Sequence, residues 1–354
     1  MPLPRALGVL RSETVGFANS SSSIGRGSPR GEAQKSGLLA GGEIVFQLVK
    51  SGPLPTLPVL KSMCLTDPDA LLNLPKREGP SLSAEEASDR FSLILHDLRM
   101  GGTWKRTNRG RLKRTEELLC TYLRPEPRSR LNFLDMGASD GITTLEAVRA
   151  LTRAFGGEVH AFLADRDIWL LRCRRGPIVE YRGADGEPIM ARLGPIGIRL
   201  ARQRREADPS GDPLARLYLQ LKRFRASMQL DTRISLVNPA ARNDPRITVM
   251  ELDCLVCEEP LKGIISAVRA SNLLNLGYFG VAQLRRAVSH IHAYLRDGGC
   301  LVVSRNDDQP AGEVENGSIW LKESGCFRWL QDIGAGSEIR SVIDEWSKDR
   351  ALGY

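Results

Sequence analysis

The hydrophobic pattern is clearest where a short apolar run is followed by a helical repeat. The run extends from Leu131 to Met136, and its mainly apolar character is typical of a parallel strand buried on both faces. Gly137 and Gly141 follow, and glycine allows both a tight turn and a close approach of the backbone to a ligand. Apolar residues then recur at helical spacing, at Ile142, Leu145, Val148, Leu151 and Phe155. The pattern predicts a strand, a turn and a helix.

Later segments repeat this pattern and extend it into a sheet. Four more strands are predicted, namely Val159–Asp165, Ile247–Asp253, Ile264–Asn272 and Cys300–Ser304. An amphipathic helix precedes the last of these strands, and its apolar face is marked by Val281, Leu284, Val288, Ile291 and Leu295. Ser318–Lys322 and Cys326–Gln331 predict an antiparallel hairpin. The alternation indicates an α/β fold whose mostly parallel sheet is closed by this hairpin.

Periodicity divides the chain into three parts. Residues 1–80 show no sustained periodicity and begin with a segment rich in Ser, Gly and Pro, so we expect them to be disordered or poorly structured. Residues 81–130 carry two apolar stripes, one through Phe91 and Leu95 and one through Leu112 and Leu119, which predict two leading helices. Residues 131–354 hold the sheet.

The connection between the second and third predicted strands is too long for a single crossover. It runs from Arg166 to about Arg246, whereas a strand-helix-strand unit needs about thirty residues in total. We therefore expect an insertion over about residues 176–233, which begins with a hairpin around Asp185-Gly186. A basic amphipathic helix is predicted over Pro213–Leu230. It is expected to pack on its own domain, and contact with a membrane surface or a partner is the less favoured alternative.

Composition is that of an ordinary globular protein, with 42% hydrophobic and 26% charged residues in 354. No apolar run approaches the length of a membrane span, and seven cysteines in a chain of this size favour reduced thiols. We expect a soluble cytoplasmic protein. Cys254 and Cys257 have a spacing used by zinc sites, but a second pair is missing, so no metal site is assigned and buried thiols are favoured.

The chemistry of the first turn lies in its acid. The pattern is Asp135-x-Gly137-x-Ser139-x-Gly141, whereas a pyrophosphate site needs open backbone N–H groups, normally with three glycines. A carboxylate at the end of the strand would repel a pyrophosphate. It suits a cationic ligand instead, such as the ammonium of a methionine moiety attached to a sulfonium.

This turn resembles motif I of the class I S-adenosylmethionine-dependent methyltransferases, and the later strands follow in the order that family requires. The resemblance covers roughly residues 130 to 335 and implies a Rossmann-like seven-stranded sheet and S-adenosylmethionine as cofactor. It implies that Gly137, Ser139 and Gly141 shape the cofactor loop and that Asp135 faces the methionyl ammonium. It further implies that Asp253 and Cys254 lie beside the adenine.

Two further positions complete the predicted site. Asp165 ends the second strand, where a Rossmann-like unit holds its ribose-binding acid, and Asn272 ends the fourth, where ligands of open α/β sheets lie. Asp165 is therefore the predicted acceptor of ribose hydroxyls, and Asn272 the predicted group beside the methyl acceptor. The competing interpretation is that Asp165 and Asp253 cap the turns after their strands and that Asn272 caps the next turn.

Positive charge is concentrated in two regions. The net charge is +8, residues 101–130 hold nine Lys or Arg against three acids, and residues 172–233 hold fourteen against seven. An anionic methyl acceptor or partner, such as RNA, phospholipid headgroups or an acidic metabolite, is consistent with this charge. Only 6% of residues are aromatic, so platforms for base stacking, and with them nucleic acid, are not indicated. The oligomeric state is not predicted.

Three functions stay open at this point. The leading hypothesis is S-adenosylmethionine-dependent methyl transfer to an unidentified acceptor by in-line displacement. A nicotinamide-dependent oxidoreductase would use the same ribose acid but should have a glycine-richer first turn. A non-catalytic methyltransferase-like protein would bind its partner through the basic insertion.

Overall fold

The computed structural model describes residues 47–50, 64–77, 83–96, 98–100, 103–105, 107–124, 130–200, 213–309 and 312–352. All of them belong to a unit that spans Gly41–Tyr354. The segment rich in Ser, Gly and Pro that precedes residue 47 lies outside the described residues. No helix of the described part is both long and apolar enough to cross a membrane.

The main sheet has seven strands and the predicted Rossmann-like α/β class. In spatial order these strands are β12 (Ile247–Glu251), β6 (Val159–Asp165), β5 (Leu131–Met136), β13 (Ile265–Ser271), β14 (Leu295–Gln309), β15 (Gly312–Glu323) and β16 (Cys326–Ile333). The first five are parallel, while β15 is antiparallel to both of its neighbours. The predicted fold class, a mostly parallel sheet with a C-terminal antiparallel hairpin, is confirmed.

Helices cover both faces of this sheet. One face packs against α3 (Lys113–Tyr122) and α4 (Ile142–Phe155), and the other against α8 (Val281–Tyr294) and α9 (Arg340–Ala351). Phe133 of β5 packs on the face that α3 and α4 cover, and Leu134 packs on the face that α8 and α9 cover. Both side chains are fully buried. Burial on both faces is the reason that this strand is a mainly apolar run.

The insertion builds a second, mainly antiparallel sheet between β6 and β12. Its own elements are β7 (Trp169–Arg175), β8 (Ile178–Arg182), β9 (Pro188–Leu193), β10 (Ile196–Arg199), α5 (Pro213–Gln220), α6 (Lys222–Ala226) and β11 (Gln229–Ser235). The predicted hairpin around Asp185-Gly186 is the turn between β8 and β9, and Gly186 there has a φ of 76°.

Part of the N-terminal region completes the second sheet. β1 (Gln47–Lys50) pairs with β10, and β2 (Cys64–Thr66) pairs with β1. The segment continues into α1 (Asp69–Arg77), and Asp69 binds Arg172 and Arg192 of the insertion. The structure therefore differs from the expected poorly structured segment. β1 and β2 complete the backbone hydrogen bonding at an open edge of the second sheet, and Asp69 pairs with two arginines that lie far away in the sequence.

The predicted helix over Pro213–Leu230 is interrupted. It consists of α5 and α6 with a break at Leu221, and Leu230 already lies in β11, which pairs with β7. Backbone pairing with β7 ends the helical stretch, although the apolar spacing continues past it. Met228 is buried, whereas Leu217 is 56% exposed, so only part of the predicted apolar stripe packs on the domain.

Five further elements are found among the described residues. They are α2 (Ala84–His96), β3 (Arg99–Met100), β4 (Thr103–Trp104), α7 (Pro239–Arg242) and a single 3-10 turn at Glu259–Leu261. The two predicted leading helices correspond to α2 and α3.

Gly141 is the position in the first turn that tolerates a side chain least. Its φ is 82°, and a Cβ there would overlap the side chain of Leu163. Gly156, at the other end of α4, has a φ of 62° but nothing within 4 Å of an added Cβ. We expect Gly156→Ala to lower the free energy of unfolding by about 1 kcal/mol, which is the left-handed backbone cost alone. Gly141→Ala should lower the free energy of unfolding by about 2 kcal/mol more than Gly156→Ala does, because its new Cβ also overlaps the side chain of Leu163.

Denaturant unfolding of the two variants measures this difference. Equal losses of unfolding free energy for Gly141→Ala and Gly156→Ala would contradict the close packing of the turn against β6.

Candidate functional site

The predicted site residues come from four neighbouring parallel strands. Asp165 is the last residue of β6, Gly137 follows β5, Asn272 follows β13, and Asp253 lies two residues beyond β12. Leu252 N donates to the carbonyl of Asp165 at 3.1 Å, which joins the ends of β12 and β6. Since the carboxyl ends of parallel neighbours share one edge, these residues lie along that edge, on both sides of the point where the strand order reverses between β5 and β13.

The turn after β5 is held against β6. Gly137, Ser139 and Gly141 all have positive φ values, of 72°, 59° and 82°. Gly137 N donates to the carbonyl of Ala164 at 2.8 Å, and Ser139 N donates to Asp165 Oδ2 at 2.9 Å. The Ser139 hydroxyl is buried and has no hydrogen-bond partner among the described residues. A buried hydroxyl of this kind is available to a ligand.

Asp165 is surrounded by donors. Its Oδ2 accepts from Ser139 N, and its Oδ1 accepts from Asp167 N at 3.0 Å. Lys105 Nζ lies 2.9 Å from the same Oδ1, and the Lys105 side chain is only 6% exposed. A ligand hydroxyl at Asp165 must therefore share this carboxylate with Lys105 or displace it. The role as ribose acceptor stays a prediction.

Asp135 is bound on both carboxylate oxygens within the protein. Arg269 of β13 donates to it through Nε at 2.9 Å and Nη2 at 2.6 Å, and Thr144 Oγ1 donates at 2.6 Å. Asp135 and Arg269 are both buried, and the charge-assisted bidentate pair joins the two central strands. The cation that Asp135 contacts in the structure is Arg269. Contact with a methionyl ammonium stays a prediction.

Asp253 and Cys254 form one end of the edge. Asp253 Oδ1 accepts from Leu255 N at 2.9 Å, so this acid does cap its own turn. Burial alone would lower the pKa of Arg166, but its hydrogen bond with Asp167 and the carboxylate of Asp253 raise that pKa. Cys254 packs in the apolar core, where burial raises its pKa to about 12 and keeps the thiol neutral. The predicted adenine contact is untested.

Asn272 lies at the predicted edge with its amide engaged. Its φ is 56°, its Oδ1 accepts from Asn306 N at 2.8 Å, and its Nδ2 donates to Asn306 Oδ1 at 3.3 Å. The side chain thus links the end of β13 to β14. A contact with the methyl acceptor stays a prediction.

Asp140 is a central residue of the turn that the sequence pattern did not single out. Its Oδ1 accepts from Ile142 N at 3.1 Å at the start of α4, its Oδ2 accepts from Ser92 of α2, and its carbonyl accepts from Asn238 N at 2.8 Å. Burial raises the pKa of Asp140 against the opposing effect of the hydrogen bonds from Ser92 and Ile142. Its partners are remote in the sequence, so no local signal marked it.

The sequence pattern also did not mark Arg269 and Lys105 as residues of the site. Arg269 had a visible signal, because a charged residue stands in the middle of the apolar run predicted as the fourth strand. Lys105 had none, since its partner Asp165 lies far away in the sequence.

No known protein family matches this sequence, and no curated protein does. Many solved structures are similar in fold, and three of them serve as examples. The CMeT domain of the citrinin polyketide synthase has 15% identity and a TM-score of 0.30, and the match covers 64% of this chain and 39% of that one. The S-adenosylmethionine-dependent methyltransferase from Mesorhizobium loti has 15% identity and a TM-score of 0.28, with coverage of 64% and 65%. The sugar N-methyltransferase from Streptoalloteichus has 11% identity and a TM-score of 0.27, with coverage of 67% and 78%.

All three are methyltransferase structures. This chain spans about two fifths of the polyketide synthase domain, for which 39% is covered. Identities of 11 to 15% indicate at most a shared fold, and TM-scores below 0.5 add nothing about activity.

The Lys105–Asp165 pair should contribute far more to the free energy of unfolding than an ion pair on the surface does. Both side chains are largely buried, so Lys105→Met leaves a carboxylate without its cation and should cost about 3 kcal/mol of unfolding free energy. Lys262→Met is the matched control, because Lys262 and Glu259 are exposed and such a pair contributes less than about 1 kcal/mol. Guanidinium unfolding compares them. Similar losses in the two variants would show that Lys105 is not a buried counter-ion.

Proposed function

We propose that this chain binds S-adenosylmethionine at the carboxyl edge of its main sheet and transfers the methyl group to an acceptor by in-line displacement. The observation that carries the proposal is that two acids, Asp140 in the turn after β5 and Asp165 at the end of β6, accept hydrogen bonds from the backbone of this turn and of the helix that follows it. Asp140 accepts from Ile142 N at the start of α4, and Asp165 accepts from Ser139 N. The amides that would hold a phosphate therefore face acids of the protein.

This arrangement favours a sulfonium nucleoside over a dinucleotide. A pyrophosphate needs free N–H groups at a helix N-terminus, but here Ile142 N and Ser139 N already donate to Asp140 and Asp165. S-Adenosylmethionine contains no phosphate, and its sulfonium carries a positive charge that carboxylates stabilise. The nicotinamide-dependent alternative is accordingly disfavoured.

Roles follow from position along the edge. Asp165 accepts the ribose hydroxyls, Asp253 and the apolar Cys254 lie beside the adenine, and Gly137, Ser139 and Gly141 form the loop around the cofactor. Asp135 lies on the methionyl side, with Arg269 as its partner. Asn272 lies on the side of the methyl acceptor.

The reaction needs mainly positioning from the protein. A lone pair of the acceptor attacks the methyl carbon while the bond from that carbon to sulfur breaks, and S-adenosylhomocysteine leaves as a neutral thioether. The acceptor loses its proton to solvent or to a nearby base. Since the methyl group is already activated, aligning the two reactants supplies much of the rate enhancement, and no protein nucleophile is required. The concentrated positive charge of residues 101–130 and 172–233 favours an anionic acceptor.

Titration calorimetry with S-adenosylmethionine, S-adenosylhomocysteine and NADH tests the proposal directly. We expect binding of both sulfur compounds and none of NADH. Binding of NADH alone would instead support the oxidoreductase. Binding of S-adenosylmethionine without methylation of any metabolite, RNA or lipid pool would support the non-catalytic protein.

Asp165→Asn should weaken binding of both sulfur compounds about tenfold or more, because charge-assisted hydrogen bonds to the ribose are lost. The control is Asp297→Asn, since Asp297 is 79% exposed near the start of β14, at the opposite edge of the sheet. Asp165→Asn also deprives Lys105 of its partner, so the double variant Asp165→Asn, Lys105→Met is titrated as well. Unchanged affinity in both Asp165 variants would remove this residue from the site.

A further inference from the structure

Arg269 is shared unequally between two carboxylates. Its Nε and Nη2 bind Asp135, while its Nη1 has no hydrogen-bond partner among the described residues and lies 3.9 Å from Glu116 Oε1. Arg269 is fully buried in the middle of β13. The main partner of this buried guanidinium is Asp135. Glu116, in the first turn of α3, is the second carboxylate beside it.

Charged groups from three neighbouring strands and from α4 act on Glu116. Arg269 and Asp135 act on it from the sheet, Glu146 from α4 and Glu315 from β15. Cys120 lies on the same helix, and Arg111, just before α3, faces Arg269 and Asp135.

Two of these carboxylates are held in place by the backbone. Glu146 accepts from Gly110 N, and Glu315 accepts from Thr115 N. Arg269 and Arg111 supply the positive charge of this layer and burial raises the pKa of Glu315, so ionisation of Glu116 adds a negative charge beside the Arg269–Asp135 pair.

We propose that Glu116 is a specificity residue of the cofactor site: by sharing Arg269 with Asp135, it makes the floor of the crevice favour a cationic sulfonium over the neutral thioether that remains after methyl transfer. The inference rests on the proposed function, because it concerns the same crevice. Asp135 lies two residues before Gly137, where the proposed cofactor loop begins, and Glu116 is linked to Asp135 through Arg269.

The physical basis is the charge difference between substrate and product. S-Adenosylmethionine carries one positive charge more than S-adenosylhomocysteine, and charge interactions are strong in a poorly solvated interior. A negative floor therefore tightens binding of the substrate cofactor without equally tightening binding of the product, which helps the product to leave.

Protonation of Glu116 makes this selectivity depend on pH. Burial raises the pKa of Glu116 to about 7, and Arg269 opposes that shift. A bound cation stabilises the ionised carboxylate, so the pKa of Glu116 falls on binding and a proton is released. Affinity for S-adenosylmethionine should rise with pH up to about pH 8 and then level off. S-Adenosylhomocysteine lacks the extra charge and should respond less.

The test is titration of the full chain with both compounds at pH 6, 7 and 8. We expect the ratio of their affinities to favour S-adenosylmethionine about fivefold more at pH 8 than at pH 6. Glu116→Gln should make this ratio independent of pH. Glu117→Gln, a change of the exposed neighbour on α3, should leave the wild-type profile unchanged.

Calorimetry of the wild-type protein in buffers of different ionisation enthalpy gives a readout that needs no variant. At pH 7 we expect release of about half a proton per S-adenosylmethionine bound, and less for S-adenosylhomocysteine.

Binding of both compounds with the same pH-dependent ratio in wild type and Glu116→Gln would overturn the role of Glu116 and leave the proposed function intact. Equal proton release for the two compounds would do the same. Failure of either compound to bind at any pH would overturn the proposed function, and this inference with it.

Discussion

The buried ion pair between Asp135 and Arg269 is the constraint around which the main sheet is organised. A guanidinium and a carboxylate taken out of water are tolerated only when their hydrogen bonds are well satisfied, and removing one partner typically costs several kcal/mol. Thr144 supplies a further donor to Asp135, and Glu116 lies beside the remaining nitrogen of Arg269. Because these two residues sit on α4 and α3, both helices must cover this face of the sheet where they do.

The same pair marks the place where the strand order reverses. The turns that follow β5 and β13 lie at the carboxyl edge of the sheet, where ligands of open α/β sheets bind. Asp140 then links two other parts of the chain to that edge. Its hydrogen-bond partners are Ser92 of α2 and Asn238, which follows the last strand of the insertion. The second sheet is thus connected to the edge where ligands of such folds bind.

Charge at the crevice is opposite in character to charge over the chain. The protein has a net charge of +8, yet Asp135 lies just before the turn after β5, Asp140 lies in it, and Asp165 accepts from Ser139 N of the same turn. Arg269 and Lys105 balance two of these acids, and Glu116 adds a carboxylate whose protonation changes near pH 7.

Local patterns determined the main sheet. The predicted strands at Leu131–Met136 and Val159–Asp165 match the structure, and the C-terminal hairpin does too, because burial and turn chemistry are written in neighbouring residues. The fifth strand is longer than predicted, since pairing with β15 carries β14 on to Gln309. Arg269 was readable as a charge in an apolar run, but its partner was not. That pairing joins residues that are far apart in the chain. The same is true of the Lys105–Asp165 contact, the hydrogen bonds of Asp140 and the strand pairing of the second sheet. Only the tertiary structure decided them, because periodicity reports which face of an element is buried and not which distant side chain it meets there.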